Sequence, residues 1–143
     1  MISRSYADRS WEQATRLLSI DSPSGFTANA AEFVKAAFDE MGFAAHLTKK
    51  GGVLADLGGA DSENALLLAA HTDTLGGMVA EVKGNNRLRL TPLGGMNANN
   101  AEAENVRVYT RSGKVYEGTL QLCNASIHVN SDYSSSKRDW NST

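Results

Sequence analysis

The stretch Ala65-Leu66-Leu67-Leu68-Ala69-Ala70-His71-Thr72-Asp73-Thr74-Leu75-Gly76-Gly77 joins an unbroken apolar run to a histidine and a carboxylate two residues apart. Residues 65–68 read as a buried strand bounded by turn formers, so His71 and Asp73 are expected at the end of a central strand. Strand ends are where α/β sheets build sites. A histidine two residues before an acid suits a metal ligand whose second ring nitrogen is held by the carboxylate, which sets the tautomer and raises the basicity. Taken alone, this stretch points to a metallohydrolase and supplies part of its site.

Upstream, Trp11, Ala14, Leu17 and Leu18 recur at helical spacing, and the turn formers Asp21-Ser22-Pro23-Ser24-Gly25 stop that helix near Ile20. In a second helix, Ala30, Phe33, Val34, Ala37, Phe38 and Met41 form one apolar stripe for packing on a sheet. Thr27 or Asn29 can cap its start, the latter with Glu32 in capping-box register, and Gly42 suits the position after its end. Residues 43–47 and 53–57 read as short strands around Lys49-Lys50-Gly51-Gly52, and Gly58 to Ser62 forms the loop before the apolar run.

After Gly77 the helical signals stop. Residues 78–83, 87–91, 105–110 and 115–122 are short alternating segments, with hairpin-turn chemistry at Gly84-Asn85-Asn86 and Arg111-Ser112-Gly113-Lys114. In Val106-Arg107-Val108-Tyr109-Thr110, inward valines alternate with outward polar groups, as in a half-solvated antiparallel strand of a small barrel or sandwich. The expected organisation is therefore an α/β front part over 1–77, with helices packed on a mixed sheet, then an incomplete β-barrel-like portion over 78–129. Residues 130–143 are polar and aperiodic, and read as a mobile tail or a long loop without its far anchor.

The 143 residues are 41% apolar and carry a formal charge of −2, enough for a modest core and without the basic surface that nucleic acid requires. Lys49-Lys50 is too short a cluster to change that. One cysteine, Cys123, excludes an internal disulfide and favours a reducing compartment. The amino terminus is polar and charged, and no run approaches a membrane span, so a cytoplasmic protein is expected.

Three motifs together, Ile20-Asp21-Ser22-Pro23-Ser24-Gly25, His71-Thr72-Asp73-Thr74-Leu75-Gly76-Gly77-Met78-Val79 and Leu90-Thr91-Pro92-Leu93-Gly94-Gly95, carry a resemblance. In type, order and spacing the chain resembles the glutamyl, deblocking and tetrahedral aminopeptidase family of dinuclear metallopeptidases. Residues from about Trp11 to about Val129 take part, corresponding to the front of such an enzyme, which makes 1–77 part of its catalytic domain and 78–129 part of its β-rich oligomerisation domain. Asp73-Thr74-Leu75-Gly76 and Tyr116-Glu117-Gly118-Thr119-Leu120 are similar to a subgroup associated with osmoprotectant synthesis. The resemblance implies His71 as ligand of one metal and Asp73 as the carboxylate that orients it.

It also implies two divalent ions, zinc or cobalt, which polarise the peptide carbonyl and acidify a bridging water, while a glutamate moves the proton to the leaving amine. A peptide substrate and a homo-oligomer follow from the same resemblance. The family's bridging aspartate, paired glutamates, further acidic ligand and last histidine have no counterpart here, for the chain contains no Glu-Glu pair. One histidine cannot make a site that needs three or four ligands per zinc, so the chain is expected to bind metal weakly and not to hydrolyse peptides.

Two alternatives stand beside this reading. A zinc carboxypeptidase or dipeptidase also uses His-x-Asp at a strand end, but Pro92-Leu93-Gly94-Gly95-Met96-Asn97 lacks that group's bridging aspartate. A non-catalytic interaction or regulatory protein would use its uncovered sheet edges to associate. His46 reads as a surface residue, His128 is not assigned as a ligand, and Cys123 is expected in an apolar, buried role. Asn124-Ala125-Ser126 and Asn141-Ser142-Thr143 match glycosylation acceptors by chance, and the glycine pairs lack phosphate-loop spacing. Partly uncovered helices predict marginal stability and association.

Overall fold

The computed structural model describes residues 4–61, 63–84 and 86–140. The loop residue Ser62, the turn residue Asn85 and the acceptor triplet at 141–143 lie outside them. The chain divides into two compact units, one ending at Thr74 and one beginning at Leu75.

The first unit holds α1 (Arg4–Leu18), α2 (Ala28–Glu40), β1 (Ala45–Leu47) and β2 (Val53–Ala55). α1 stops where the sequence turns to Asp21-Ser22-Pro23, but its apolar side is only partly covered: Leu17 is half-buried, while Trp11 is 77% exposed. α2 begins with Thr27 at the N-cap position, so Asn29 lies within the first turn and the capping box does not form; the Thr27 side chain makes no capping bond. Its far end is a Schellman closure, in which Gly42 at φ +85° donates to Asp39 O at 3.0 Å and Phe43 donates to Phe38 O at 3.0 Å.

The stripe of α2 packs on the β1–β2 hairpin, with Ala30, Ala31 and Ala45 buried and Phe33, Val34, Ala37 and Phe38 half-buried. Asp39 ties the two elements, accepting from Lys35 Nζ at 2.6 Å and from the Ala45 N–H at 3.1 Å. His46 is exposed on β1, as a surface residue should be.

The apolar run differs from its reading. Residues 65–73 belong to neither helix nor strand, and Leu66, Leu67 and Leu68 are 84%, 75% and 77% exposed. A strand exists only with a ladder partner, and among the described residues β1 and β2 pair only with each other, in antiparallel register. The expected mixed sheet is therefore reduced to this hairpin and an isolated parallel bridge between Pro23 and Thr74.

The second unit contains β3 (Gly76–Val82), β4 (Leu88–Leu93), a short 3₁₀ turn η1 (Ala98–Asn100), β5 (Asn105–Tyr109) and β6 (Val115–Thr119). β3 pairs with β4 and β5 with β6, both antiparallel, with a bulge between Val79 and Glu81. Val106 and Val108 are half-buried and their neighbours on β5 exposed, the alternation their sequence predicts. No barrel is formed among the described residues. Closure needs a continuous ladder, and each strand here has one partner only.

Two hairpins share one turn. Gly51 donates to Thr48 O at 2.9 Å and Gly113 to Thr110 O at 3.0 Å, both glycines at φ +81°; Thr48 Oγ1 and Thr110 Oγ1 accept from the next residues, Gly52 and Lys114. Among the described residues, the buried apolar ones of this unit are Ala98, Ala101 and Leu122. Cys123, expected to be buried, is exposed: Leu122 takes the inward place, and Cys123 presents its carbonyl to Arg87 at 3.0 Å. Residues 131–135 form turns, and Arg138 anchors the segment through Glu102 Oε2 at 2.8 Å and the carbonyls of Tyr133 and Ser136.

Candidate metal centre at the His71 turn

Two segments of the first unit meet at this turn. Thr74 donates its N–H to Ser22 O at 2.7 Å, which sets Pro23 beside Thr74 as parallel neighbours. The chain then reverses through Pro23-Ser24-Gly25-Phe26, closed by Phe26 N–H to Pro23 O at 2.7 Å. Gly25, at φ +88°, occupies the third place of that turn, where an L side chain would be strained.

This turn delivers Ser24 to Asp73 across 49 residues of sequence, and its hydroxyl donates to Asp73 Oδ2 at 2.6 Å. The other carboxylate oxygen faces His71: Nδ1 lies 3.2 Å from Asp73 Oδ1 and 3.1 Å from the Asp73 carbonyl oxygen. Both are acceptors, so the ring proton belongs on Nδ1, leaving the Nε2 lone pair available. The His71 side chain is 85% exposed and that of Asp73 44%. The Ser24 hydroxyl holds the Asp73 carboxyl below the usual carboxylate range; burial opposes it, and the hydrogen bond to His71 adds a lesser lowering effect.

Beneath the turn, Ser22 is buried and its Oγ has no hydrogen-bond partner among the described residues. An imidazole with a free Nε2 and a held Nδ1 has the chemistry of one metal ligand. It does not make a site: among the described residues, no group of three or more His, Cys, Asp or Glu could hold an ion. His128 is not gathered into one. A hollow of about 290 Å³ lined by residues that include Glu102, Gln121 and Tyr133 contains neither His71 nor Asp73.

The sequence profile of the M42 glutamyl aminopeptidase family matches residues 51–143. The chain belongs to that family. M42 relatives include YhfE of Bacillus subtilis (strain 168), whose name places it provisionally among the aminopeptidases; it is 35% identical over 131 residues, covering 92% of this chain and 38% of its own length. The glutamyl aminopeptidase of Lactococcus lactis subsp. cremoris (strain MG1363) is 30% identical over 106 residues, covering 73% of this chain and 30% of its own.

The fold matches the crystal structure of a TET aminopeptidase from the marine sediment archaeon Thaumarchaeota archaeon SCGC AB-539-E09, with a TM-score of 0.79 over 96% of this chain and 37% of that one, at 24% identity. The M42 chain described here thus spans under two fifths of the length of each of these relatives. M42 membership separates it from the carboxypeptidase and dipeptidase alternative. Nothing local in the sequence marks Ser24 as a site residue, although the Pro-Ser-Gly motif containing it carries part of the family resemblance.

Proposed function

We propose that this chain supplies the His71 corner of a dinuclear metal aminopeptidase that removes N-terminal residues from peptides. The observation that supports this best is the His71 turn itself, an imidazole held at Nδ1 and free at Nε2, in a chain of the M42 family. Zinc or cobalt, when bound, would polarise the scissile carbonyl. The chain's own contribution is narrower: His71 offers one ligand and Asp73 keeps its proton on Nδ1. One imidazole falls short of the three or four ligands that each zinc needs, so this reading expects weak metal binding and no peptide turnover from these 143 residues alone.

Exposed Leu66, Leu67 and Leu68 support association with further chain, as in a homo-oligomer, and favour a second reading in which the chain acts as an interaction fragment on an intact relative. An exposed free thiol fits a reducing compartment such as the cytoplasm.

Cobalt(II) titration followed by visible absorption, alongside hydrolysis of a glutamyl anilide, tests the proposal. Weak binding that His71→Ala abolishes, without turnover, is expected. Absorption unchanged by His71→Ala would remove the ligand role, and turnover by the unsubstituted chain would contradict the incomplete site.

A further inference from the structure

We propose that Ser24 is a positioning residue whose hydroxyl, donated to Asp73 Oδ2, aims Oδ1 at His71 Nδ1 and so selects the ring's tautomer and orientation. The significance of this for metal binding rests on the reading of His71 as a ligand; the positioning itself does not.

The two oxygens of an aspartate are chemically equivalent, and a half-exposed carboxylate rotates freely unless something distinguishes them. Here something does. Oδ2 accepts the hydrogen bond of the Ser24 hydroxyl at 2.6 Å, while Oδ1 lies 3.2 Å from the imidazole nitrogen. The shorter bond is the one from Ser24, so it is the stronger constraint on the carboxylate plane.

Ser24 can impose that constraint because its own position is set by backbone. The Thr74 to Ser22 bond fixes the segment, and the Pro23 to Phe26 bond fixes the turn on which the hydroxyl sits. A one-torsion side chain on a closed turn loses little freedom in making the bond. His71, by contrast, is mostly exposed and has no bond to its Nδ1 other than those to Asp73 among the described residues. Its orientation therefore depends on Asp73, through the backbone carbonyl at 3.1 Å and through a carboxylate whose own orientation depends on Ser24. A purely structural serine, stapling two segments, would affect stability without selecting a tautomer.

The discriminating measurement is the two-bond proton–nitrogen correlation spectrum of the His71 ring, recorded on the full chain without metal at a pH where the ring is neutral. The unsubstituted protein is expected to show mainly the Nδ1–H form. Ser24→Ala should shift the tautomer ratio by about threefold or more toward Nε2–H, the size that losing one modest hydrogen bond allows. Ser24→Thr, which retains a hydroxyl, should restore it.

In the unsubstituted chain, deuteration of the Ser24 hydroxyl should also produce an isotope shift at the Asp73 carboxyl carbon, a readout that does not depend on any variant folding. An unchanged tautomer ratio in Ser24→Ala, a Ser24→Thr variant that behaves like alanine, or an absent isotope shift overturns the proposal. Cobalt(II) titration of the same samples separates the two readings: tautomer shifts without metal binding in any sample sustain the role of Ser24 and remove the ligand role of His71.

Discussion

Thr74 donates its backbone N–H to Ser22 O at 2.7 Å, and through that bond the residue after Asp73 is held against the turn that carries Ser24. Thr74→Pro removes the donor and also pushes Asp73 toward extended conformations. The variant should lose about 1 kcal/mol or more of stability, read from the urea midpoint, and the Phe26 amide should lose its protection from hydrogen exchange. Thr74→Ala keeps the N–H and should retain that protection.

Ser22 presents the opposite case, a buried hydroxyl without a partner among the described residues. Leaving such a group in the interior is unfavourable, so its removal does not sacrifice a bond. Ser22→Ala should be neutral or stabilising by up to ~1 kcal/mol in urea unfolding. Clear destabilisation would show that the hydroxyl has an unrecognised partner.

Asp39 links α2 to β1, and the linkage has a pH signature. Its pKa is lowered, first by the Lys35 hydrogen bond and then by that of the Ala45 N–H, while the pKa of Lys35 is raised by the same partner. A depressed carboxyl stabilises the fold above its unfolded pKa and loses that contribution as pH falls through the folded value. The Lys35 contribution is present below its unfolded pKa and lost as pH rises through the folded one. Asp39→Asn should therefore flatten thermal stability both below the usual value of 3.8 and above 10.5. Both partners lie at the surface, so added salt should shrink the difference.

Leu66, Leu67 and Leu68 present side chains to solvent, with no strand beside them among the described residues. Sedimentation should show the chain associating, and an apolar dye should bind it. The double variant Leu66→Ser with Leu68→Ser should weaken both, with stability within about 0.5 kcal/mol because little packing is removed. Undiminished association would place the contact elsewhere.

Local elements were legible because they follow from interactions close in sequence. The α2 stripe and Gly42, the valine alternation on β5, and the turns at Lys49-Lys50-Gly51-Gly52 and Arg111-Ser112-Gly113-Lys114 carry their own instructions, and the structure realises each. The second helix needed only its period and its closing glycine. His71 and Asp73 stood out for the same reason: the spacing that brings their side chains together spans two residues.

What tertiary structure decided lies at long range. Apolar content at 65–68 specifies a preference for burial and an extended chain, but a strand forms only when another strand completes its ladder, and none among the described residues does. The same physics leaves β3–β4 and β5–β6 as separate hairpins rather than a barrel. Only folding could show that Ser24 faces Asp73, because a bond across 49 residues depends on where two backbones meet, and no local period encodes that meeting.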